Sequence, residues 1–363
     1  MILILVRFKN NIDYLKYLFN KNKPSFGITS QSPPDPRDYI YSQIFNSTPL
    51  PSKFSLEPNC TPVRNQGKLG SCVGFGTACS VKGWQEAINY PGNNYVFSPL
   101  FVWKLCKQED GIPNDEGTYI RVAYKILQQT GVVFEQTMPY TDEVKLPVVF
   151  KPTEQMLKEA EKFKIKSYAR VQTLQEIKQA IYYDGVVGAG VFVATNFLYP
   201  EQNKFIAMPS GFILGSHMIA IVGWDDNLEY TYRDSYLGKR TFKGFFRIRN
   251  SWSSQWGDNG YAFIPFDFLT QATDLGIPYL LEAWTSIDLL IDPPKNDNVE
   301  KLEMWVGSNI VKYNGISEII DQSIIVDPKT NRSLAPLRYV FEKAGWKVDY
   351  IATEKKIIAT RFK

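Results

Sequence analysis

Apolar positions repeat with a helical period along much of the first half of the chain. The first such run predicts a helix over residues 71–88, and a second predicts a helix over residues 119–129. A third helix is predicted over residues 174–183, because Thr173 and Glu176 at its start have the spacing of a capping box. We therefore predict that the first half of the chain is mainly helical.

The pattern changes to strands after Gly185. Five runs rich in β-branched and aromatic residues are separated by turn residues, at 186–193, 218–224, 230–232, 244–249 and 260–264. A helical first half followed by a β-rich second half predicts two lobes of one catalytic unit, an α+β fold.

A linker rich in Pro and Asn, residues 292–298, separates a C-terminal segment with its own pattern. Strands are predicted there at 302–306, 310–313, 323–326, 347–350 and 356–360, with a helix at 333–345. We therefore predict a separate small α+β module over residues 299–363. At the other end, residues 1–50 are predicted to form an arm, which is extended where Pro, Ser and Asn dominate.

Composition narrows the classes of function. The chain has 363 residues, of which 44% are hydrophobic and 21% charged, as is typical of a well-packed globular protein. Its formal net charge is only +4 and its basic residues are scattered, so no nucleic-acid partner is expected. No run of about 18 apolar residues occurs, so no membrane insertion is expected. Residues 1–9 do not have the order of a secretory signal.

Candidate chemistry centres on the only histidine of the chain, His217. Imidazole alone titrates near neutral pH without a perturbing environment, so proton transfer has one ordinary base. An isolated histidine is more often a core or surface residue, but here Cys72 precedes it and Asn250 follows. These three types can act as a thiol nucleophile, its base and the group that orients the base. With four cysteines, no CxxC pair and one histidine, no metal site and no other cofactor is expected.

The predicted position of Cys72 at the start of a helix favours its thiolate, since unpaired N–H groups there carry partial positive charge. An imidazolium beside it would lower the thiol pKa further. Gln66, six residues earlier, can turn its amide toward the sulfur and stabilise an oxyanion together with the Cys72 N–H. Trp252 can shield a hydrogen bond between Asn250 and His217 from water. Taken singly, each residue also fits a structural role in a core, loop or turn.

Three motifs occur in order: Gln66-Gly67-x-x-Gly70-Ser71-Cys72, Ser216-His217-x-Ile219-x-x-Val222-Gly223, and Asn250-Ser251-Trp252-x-x-x-Trp256-Gly257-x-Asn259-Gly260-Tyr261. Together they resemble the motifs of papain-like cysteine peptidases, and the resemblance covers about residues 51–283. It implies a papain-like fold in which an active-site cleft lies between a helical lobe and a β-barrel-like lobe. We place this peptidase domain at residues 51–291.

The resemblance also implies roles for individual residues. It makes Cys72 the nucleophile, His217 the acid and base, Asn250 the residue that orients the imidazole, and Gln66 an oxyanion donor. For substrate binding it points to Trp252 and to Gly117. The latter lies in the run Asp115-Glu116-Gly117-Thr118, which resembles the wall that holds substrate in an extended conformation.

The chain departs from the family pattern at several places. Val73 follows Cys72 where many relatives have Trp, and Leu69 stands where relatives often carry a disulfide cysteine. Asn250 lies 178 residues after Cys72, and the extra length falls mainly within residues 225–244, which predict an enlarged hairpin. None of these departures removes a catalytic atom.

The two ends of the chain give further expectations. The arm at residues 1–50 is expected either to pack as part of the mature fold or to lie over the cleft as a short inhibitor. Residues 299–363 resemble the small domain named after the N-terminus of copper amine oxidases, an accessory of bacterial surface proteins. Because that segment contains no histidine, copper binding is not expected, and we interpret it as an appendage that binds a surface or a protein partner.

The predicted function is that of an endopeptidase that hydrolyses protein or peptide substrates through a thioester on Cys72. Two alternatives stay open: a non-catalytic binding or adhesion protein on the same scaffold, and an amidase or transglutaminase-like acyl transferase. The start of the chain favours the cytoplasm, whereas the accessory module favours a surface location, so the location stays open.

Overall fold

The structure, a computed structural model of the chain, describes residues 26–28, 30–36, 38–41, 49–209, 213–234, 238–273 and 276–288, together with seven strands between residues 299 and 362. These residues fall into two compact units. The first ends before residue 290, and the second contains the strands from Val299 onward.

The described part of the first unit contains six helices. The longest, α1, is α-helical over Cys72–Gly74 and Gly83–Asn89 and π-helical over Phe75–Lys82 between them. The others are α2 (Pro99–Glu109), α3 (Ile120–Gln129), α4 (Glu154–Ala160), α5 (Leu174–Tyr183) and α6 (Asp267–Thr270). Short 3-10 turns lie at Glu57–Asn59, Glu161–Phe163 and Thr195–Phe197.

The three predicted helices are confirmed as α1, α3 and α5, each to within one residue at both ends. The capping box of α5 forms as expected between Thr173 and Glu176. Three helices, α2, α4 and the one-turn α6, were not predicted. The first two begin at a side chain that accepts a backbone N–H, Ser98 for α2 and Thr153 for α4, so the capping signal was present in the sequence.

An eight-stranded sheet forms the rest of the first unit. Its order is β1-β3-β8-β4-β5-β6-β7, with β2 paired to β5, and only β1 and β3 run parallel. The strands are β1 (Tyr39–Ile40), β2 (Lys53–Ser55), β3 (Ile165–Val171), β4 (Val187–Ala194), β5 (Ile213–Asp234), β6 (Gly238–Arg249), β7 (Tyr261–Pro265) and β8 (Leu280–Asp288).

The predicted strands are present, with one change. Residues 218–224 and 230–232 belong to a single strand, β5, because its pairing with β6 continues to Asp234 opposite Gly238. This confirms the enlarged hairpin. The strands β3 and β8 were not predicted. They pair with each other across more than a hundred residues of sequence, a contact that a local pattern does not reveal.

The contact that positions the site is the packing of α1 against β5. A Cβ atom at Gly76 would lie 2.6 Å from the Met218 sulfur, so a side chain here would require the Met218 side chain to move. The close contact brings the first turn of α1 beside the part of β5 that carries His217. The fold is therefore papain-like in its division into helices and one large sheet, with the site where the two meet.

The second unit is described only through its strands. A five-stranded antiparallel sheet has the order β11-β10-β9-β15-β14, and β12 pairs with β13. The strands are β9 (Val299–Trp305), β10 (Ile310–Tyr313), β11 (Ile316–Ile319), β12 (Val326–Asp327), β13 (Arg332–Ser333), β14 (Lys347–Ile351) and β15 (Lys356–Phe362). Almost all of the helix expected at 333–345 lies outside the described residues.

Candidate functional site

Cys72 is the first residue of α1, as its predicted position required. Its side chain is completely buried. The Cys72 Sγ atom accepts a hydrogen bond from the backbone N–H of Met218 at 3.3 Å. Because Met218 directly follows His217 on β5, this bond brings the thiol to the residue that carries the imidazole.

His217 is held from one side by Asn250. The imidazole Nε2 and the Asn250 Oδ1 are 2.7 Å apart, and the same oxygen accepts the Ser251 N–H at 2.7 Å. Because the Asn250 oxygen can only accept, the imidazole Nε2 must carry the hydrogen in its bond to that oxygen. In the neutral ring Nδ1 is therefore the nitrogen without a proton. Among the described residues, Nδ1 has no hydrogen-bond partner. The ring therefore presents one free basic nitrogen.

Trp252 covers the imidazole. Its ring centroid lies 4.7 Å from that of His217, with a tilt of 31° between the planes. Phe26, Phe197 and Trp256 surround the indole at edge-to-face geometry. The predicted shielding of the bond between His217 and Asn250 thus has its structural counterpart, since water is excluded from that side.

The Gln66 amide is fixed at both ends. Its Oε1 accepts from the Ser251 hydroxyl at 2.6 Å, and its Nε2 donates to the Leu69 carbonyl at 3.1 Å. The backbone N–H of Gln66 also donates to the Ser251 carbonyl at 2.9 Å. Ser251 therefore ties Gln66 to the residue next to Asn250. Ser251 belongs to the Asn250-Ser251-Trp252 motif, but this role of Ser251 was not predicted from the sequence.

Gly117 lies in the loop between α2 and α3, and both of its backbone groups are engaged inside that loop. Its N–H donates to the Asp115 carboxylate at 2.7 Å, and its carbonyl accepts from the Lys107 ammonium at 2.8 Å. The next N–H along the chain, that of Thr118, donates to the Gly27 carbonyl at 2.9 Å. The backbone hydrogen bond to an extended segment that was expected of Gly117 is thus made by Thr118, the next residue of the same run.

Side chains rather than sulfur bridges hold this wall. The Glu116 carboxylate accepts the Gly70 N–H at 2.8 Å, and the Glu116 carbonyl accepts from the Trp103 indole at 3.0 Å. The Lys107 ammonium is fully buried and also pairs with Asp110 at 2.7 Å. All four cysteines of the chain are free thiols. The wall is therefore joined to the loop before Cys72 without a covalent link.

A short piece of the N-terminal arm, residues 26–28, lies against the thiol; we call it the cleft segment. A Cβ atom added at Gly27 would lie 2.2 Å from the Gly70 carbonyl oxygen and 2.9 Å from the Cys72 sulfur. The Gly27 N–H also acts on that sulfur, in the direction that lowers the pKa of the thiol. Only glycine fits between these two groups.

The cleft segment is extended and bonded on both sides. The Ile28 N–H donates to the Ser216 carbonyl at 3.3 Å, and Ile28 forms bridges with Ser216 and with Thr118. The Phe26 ring contacts the imidazole of His217 edge-on, with centroids 6.4 Å apart. The contact of this segment with Cys72 and His217 was not predicted, although Phe26 and Ile28 are apolar residues within an otherwise polar stretch of the arm.

Burial dominates the electrostatics of the pair. It raises the pKa of the Cys72 thiol to about 12, although the N–H groups of Met218 and Gly27 act in the opposite direction. Burial likewise lowers the pKa of the His217 imidazole to about 4, and the bond to Asn250 offsets only part of this. The thiolate expected from the helix terminus is thus not favoured here, because the cleft segment and the surrounding rings keep water away.

The single histidine makes this shift measurable. We expect the imidazole of the full chain to titrate by NMR near pH 4 rather than at its ordinary value of 6.5, because burial disfavours the charged ring. Its contribution to stability is present above pH 6.5 and is lost as the pH falls toward 4. A midpoint near 6.5 in the full chain would show that the ring is hydrated.

The part of the chain that the structure describes lacks two other kinds of feature. No group of three or more His, Cys, Asp and Glu side chains is arranged to hold a metal ion there. No helix in that part combines the length and the apolar character needed to cross a bilayer.

Comparisons with known proteins agree with this geometry. The model of the papain family of cysteine proteases matches residues 50–268. An uncharacterized peptidase C1-like protein of Acanthamoeba polyphaga mimivirus is 27% identical over 271 residues, which cover 71% of this chain and 81% of that protein. Cathepsin B of Dictyostelium discoideum is 25% identical over 268 residues, covering 68% and 78%.

Among solved structures, xylellain, a cysteine protease from Xylella fastidiosa, superposes with a TM-score of 0.58 at 24% identity, covering 75% of this chain and 99% of that one. Digestive procathepsin L 3 from the Tenebrio molitor larval midgut gives 0.50 at 17% identity, covering 76% and 78%. These structures show the fold. The family model, which matches more than half of the chain, shows that the chain belongs to the papain family of cysteine proteases.

Proposed function

We propose that Cys72, His217, Asn250 and Gln66 form the catalytic site of this cysteine peptidase. The observation that carries the proposal is the bond between His217 Nε2 and Asn250 Oδ1, which leaves Nδ1 as the free base next to the residue that bonds the Cys72 sulfur. A buried thiol, one unpartnered basic nitrogen and a fixed amide are the parts that acyl transfer to sulfur needs.

The reaction follows from these parts. His217 Nδ1 takes the thiol proton as Cys72 Sγ attacks the peptide carbonyl carbon, and the carbonyl oxygen becomes an oxyanion near the Gln66 amide and the Cys72 N–H. As the C–N bond breaks, the imidazolium gives its proton to the leaving amine, which leaves a thioester on Cys72. Water then attacks the thioester while His217 takes its proton, and the proton returns to the thiol as the acid departs.

Substrate backbone is proposed to take the place of the cleft segment. The Thr118 N–H and the Ser216 carbonyl, which bond that segment, offer one donor and one acceptor to an extended chain. Gly117 lines the wall beside Thr118, and Trp252 closes the far side of the imidazole. An extended protein or peptide substrate suits these groups better than a small amide, which would reach only the sulfur and the oxyanion donors.

The arm is proposed to keep the peptidase latent. Besides the cleft segment, Arg121 pairs with Asp35 and, at 2.6 Å, with Asp38. The Ser32 hydroxyl and N–H both donate to the buried Glu282 carboxylate, at 2.9 and 3.1 Å. These contacts support the second role expected of the arm, that of a short inhibitor lying over the cleft. Cleavage of the arm with a matching rise in activity would support latency, whereas full activity of the uncut chain would contradict it.

Three substrates test the proposed function against its alternatives. The chain is assayed with a quenched peptide library, with a small amide, and with a protein glutamine plus an amine acceptor, while a peptidyl epoxide identifies the reactive thiol by peptide mapping. We expect library hydrolysis and labelling of Cys72, with the buried Cys106 unlabelled as the internal control. Faster turnover of the small amide or of the amine acceptor would favour the acyl-transfer alternative. No turnover and no labelling, in the uncut chain and also after cleavage of the arm, would favour a binding protein.

Residues 299–363 are proposed to be an accessory domain like that of copper amine oxidases, one that binds a surface or a protein partner. Its antiparallel sheet of five strands supports an independent small fold. The chain contains no histidine after His217, which argues against copper ligation. The same library assay on a chain ending at residue 291 should give the same hydrolysis rate, and a lost rate would contradict a purely accessory role.

A further inference from the structure

The Tyr140 hydroxyl is hydrogen-bonded to the loop that precedes Cys72. The Tyr140 hydroxyl donates to the Gln66 carbonyl at 2.6 Å. It lies 2.7 Å from the Ser71 hydroxyl, which must be the donor to it, since the phenol has only one hydrogen. One oxygen atom thus bonds to both ends of the stretch from Gln66 to Ser71, directly before Cys72.

Tyr140 is itself held firmly. Its N–H donates to the Glu135 carboxylate at 2.8 Å, and that carboxylate pairs with Arg64 at 2.6 Å. Its ring packs edge-on against Phe75 of α1, with centroids 4.7 Å apart. Two residues further on, Asp142 accepts the N–H of Lys68 in the middle of the loop at 2.9 Å. The phenol is therefore a fixed point against which the loop is placed.

The two oxyanion donors of the proposed mechanism lie at the two ends of this loop. One is the Gln66 side-chain amide, and the other is the Cys72 backbone N–H. A donor stabilises an oxyanion only when it is aimed at the position where the charge develops, so the spacing between the two ends matters directly. Tyr140 is 74 residues away from Gln66 in sequence, so this restraint comes from the fold rather than from the loop.

We propose that Tyr140 is a positioning residue that sets the geometry of the oxyanion hole through Gln66 and Ser71. It touches neither substrate nor the reacting atoms. The proposal rests on the proposed function, because it assigns Tyr140 a role in the oxyanion step of that reaction.

The test is Tyr140→Phe, which removes the hydroxyl and keeps the ring against Phe75. We expect kcat, expressed per active site titrated with the peptidyl epoxide, to fall about tenfold with KM unchanged. Affinity for a peptide aldehyde, whose adduct places an oxygen in the hole, should fall by a similar factor. The rate of Cys72 alkylation by iodoacetamide, which forms no oxyanion, should stay the same.

Tyr232→Phe is the matched control, because it removes a buried hydroxyl that donates to the Ile206 carbonyl at 2.8 Å, within the β lobe. It should leave kcat and aldehyde affinity unchanged. If Tyr140→Phe folds poorly, Ser71→Ala removes one of the two bonds and should show the same pattern with a smaller loss. Adding Ser71→Ala to Tyr140→Phe should cost little more than Tyr140→Phe alone.

Two results would overturn the proposal: kcat per titrated site unchanged in Tyr140→Phe, or alkylation and aldehyde affinity lowered together, as in a merely loosened structure. Failure of the proposed function is a different result, since the wild-type chain, uncut or with its arm cleaved, would then show neither hydrolysis nor labelling at Cys72.

Discussion

Replacing His217 with alanine should lower kcat/KM for peptide hydrolysis by at least about 10⁴-fold. The chain has no second histidine, and His217, whose Nδ1 has no partner among the described residues, directly precedes the residue whose N–H bonds the Cys72 sulfur. Without it, the buried thiol keeps its proton near neutral pH and the leaving amine receives none. Hydrolysis of a quenched peptide, followed over hours at high enzyme concentration, measures the residual rate.

Companion variants test whether the residues act as one unit. Cys72→Ala should be as inactive as His217→Ala, and the double variant should be no worse than either, because each removes the same step. Asn250→Ala should lose less activity, since it orients the ring without supplying the proton. Activity of His217→Ala within tenfold of wild type would mean that another group is the base.

A single methyl group at position 27 should release the cleft. Gly27→Ala places a carbon 2.2 Å from the Gly70 carbonyl oxygen, and overpacking of this kind costs about 1–3 kcal/mol. Among the other contacts of the arm, the ion pairs of Arg121 are worth about 0.2–1 kcal/mol each where partly exposed. We therefore expect an initial hydrolysis rate about ten- to a hundredfold above that of the uncut wild type, since 1.4 kcal/mol is tenfold in a population.

Release should also change the chemistry of the thiol. With water admitted, the pKa of Cys72 should fall below about 12, so iodoacetamide alkylation near pH 7 should accelerate together with hydrolysis. Ser30→Ala, an exposed change in the same arm, is the matched control and should alter neither rate. A second variant, Asp35→Asn with Asp38→Asn, loosens the arm without a backbone clash. Unchanged rates in both released variants would mean that the arm does not cover the thiol.

The residues proposed to carry the chemistry could be found from the sequence because they lie in short motifs. Cys72 opens a helix with a clear apolar period, and His217 lies in a run that reads as a strand. The structure places them as expected, with Asn250 bonded to the ring. What the sequence could not give is which distant group touches each of them. Gly27 and Tyr140 reach the loop before Cys72 from far away in the chain, and nothing local marks those contacts.

Burial explains the other difference. A helix terminus and a neighbouring base predict a thiolate, and Cys72 does open α1 while the residue after His217 bonds its sulfur. Yet burial has the largest effect on the pKa of Cys72, and residues 26–28, which lie in a part of the chain with little periodic signal, are among the groups that cover the sulfur. The direction of the pKa shift depends on the assembled site. The motifs around Cys72 therefore predict the thiol of a cleft open to water, and not that of a cleft covered by the arm.

The proposed substrate wall is held by hydrogen bonds and ion pairs, and this determines how it responds to reducing conditions. A thiol nucleophile works only while it is reduced, whereas a wall stapled by disulfides is weakened by the reductant that protects such a thiol. Here the wall is held by the Lys107 ammonium, the Glu116 carboxylate and the Trp103 indole, none of which a thiol reductant attacks. Conditions that keep the proposed nucleophile Cys72 reduced therefore leave the contacts of the proposed substrate wall intact, so one redox environment suits both.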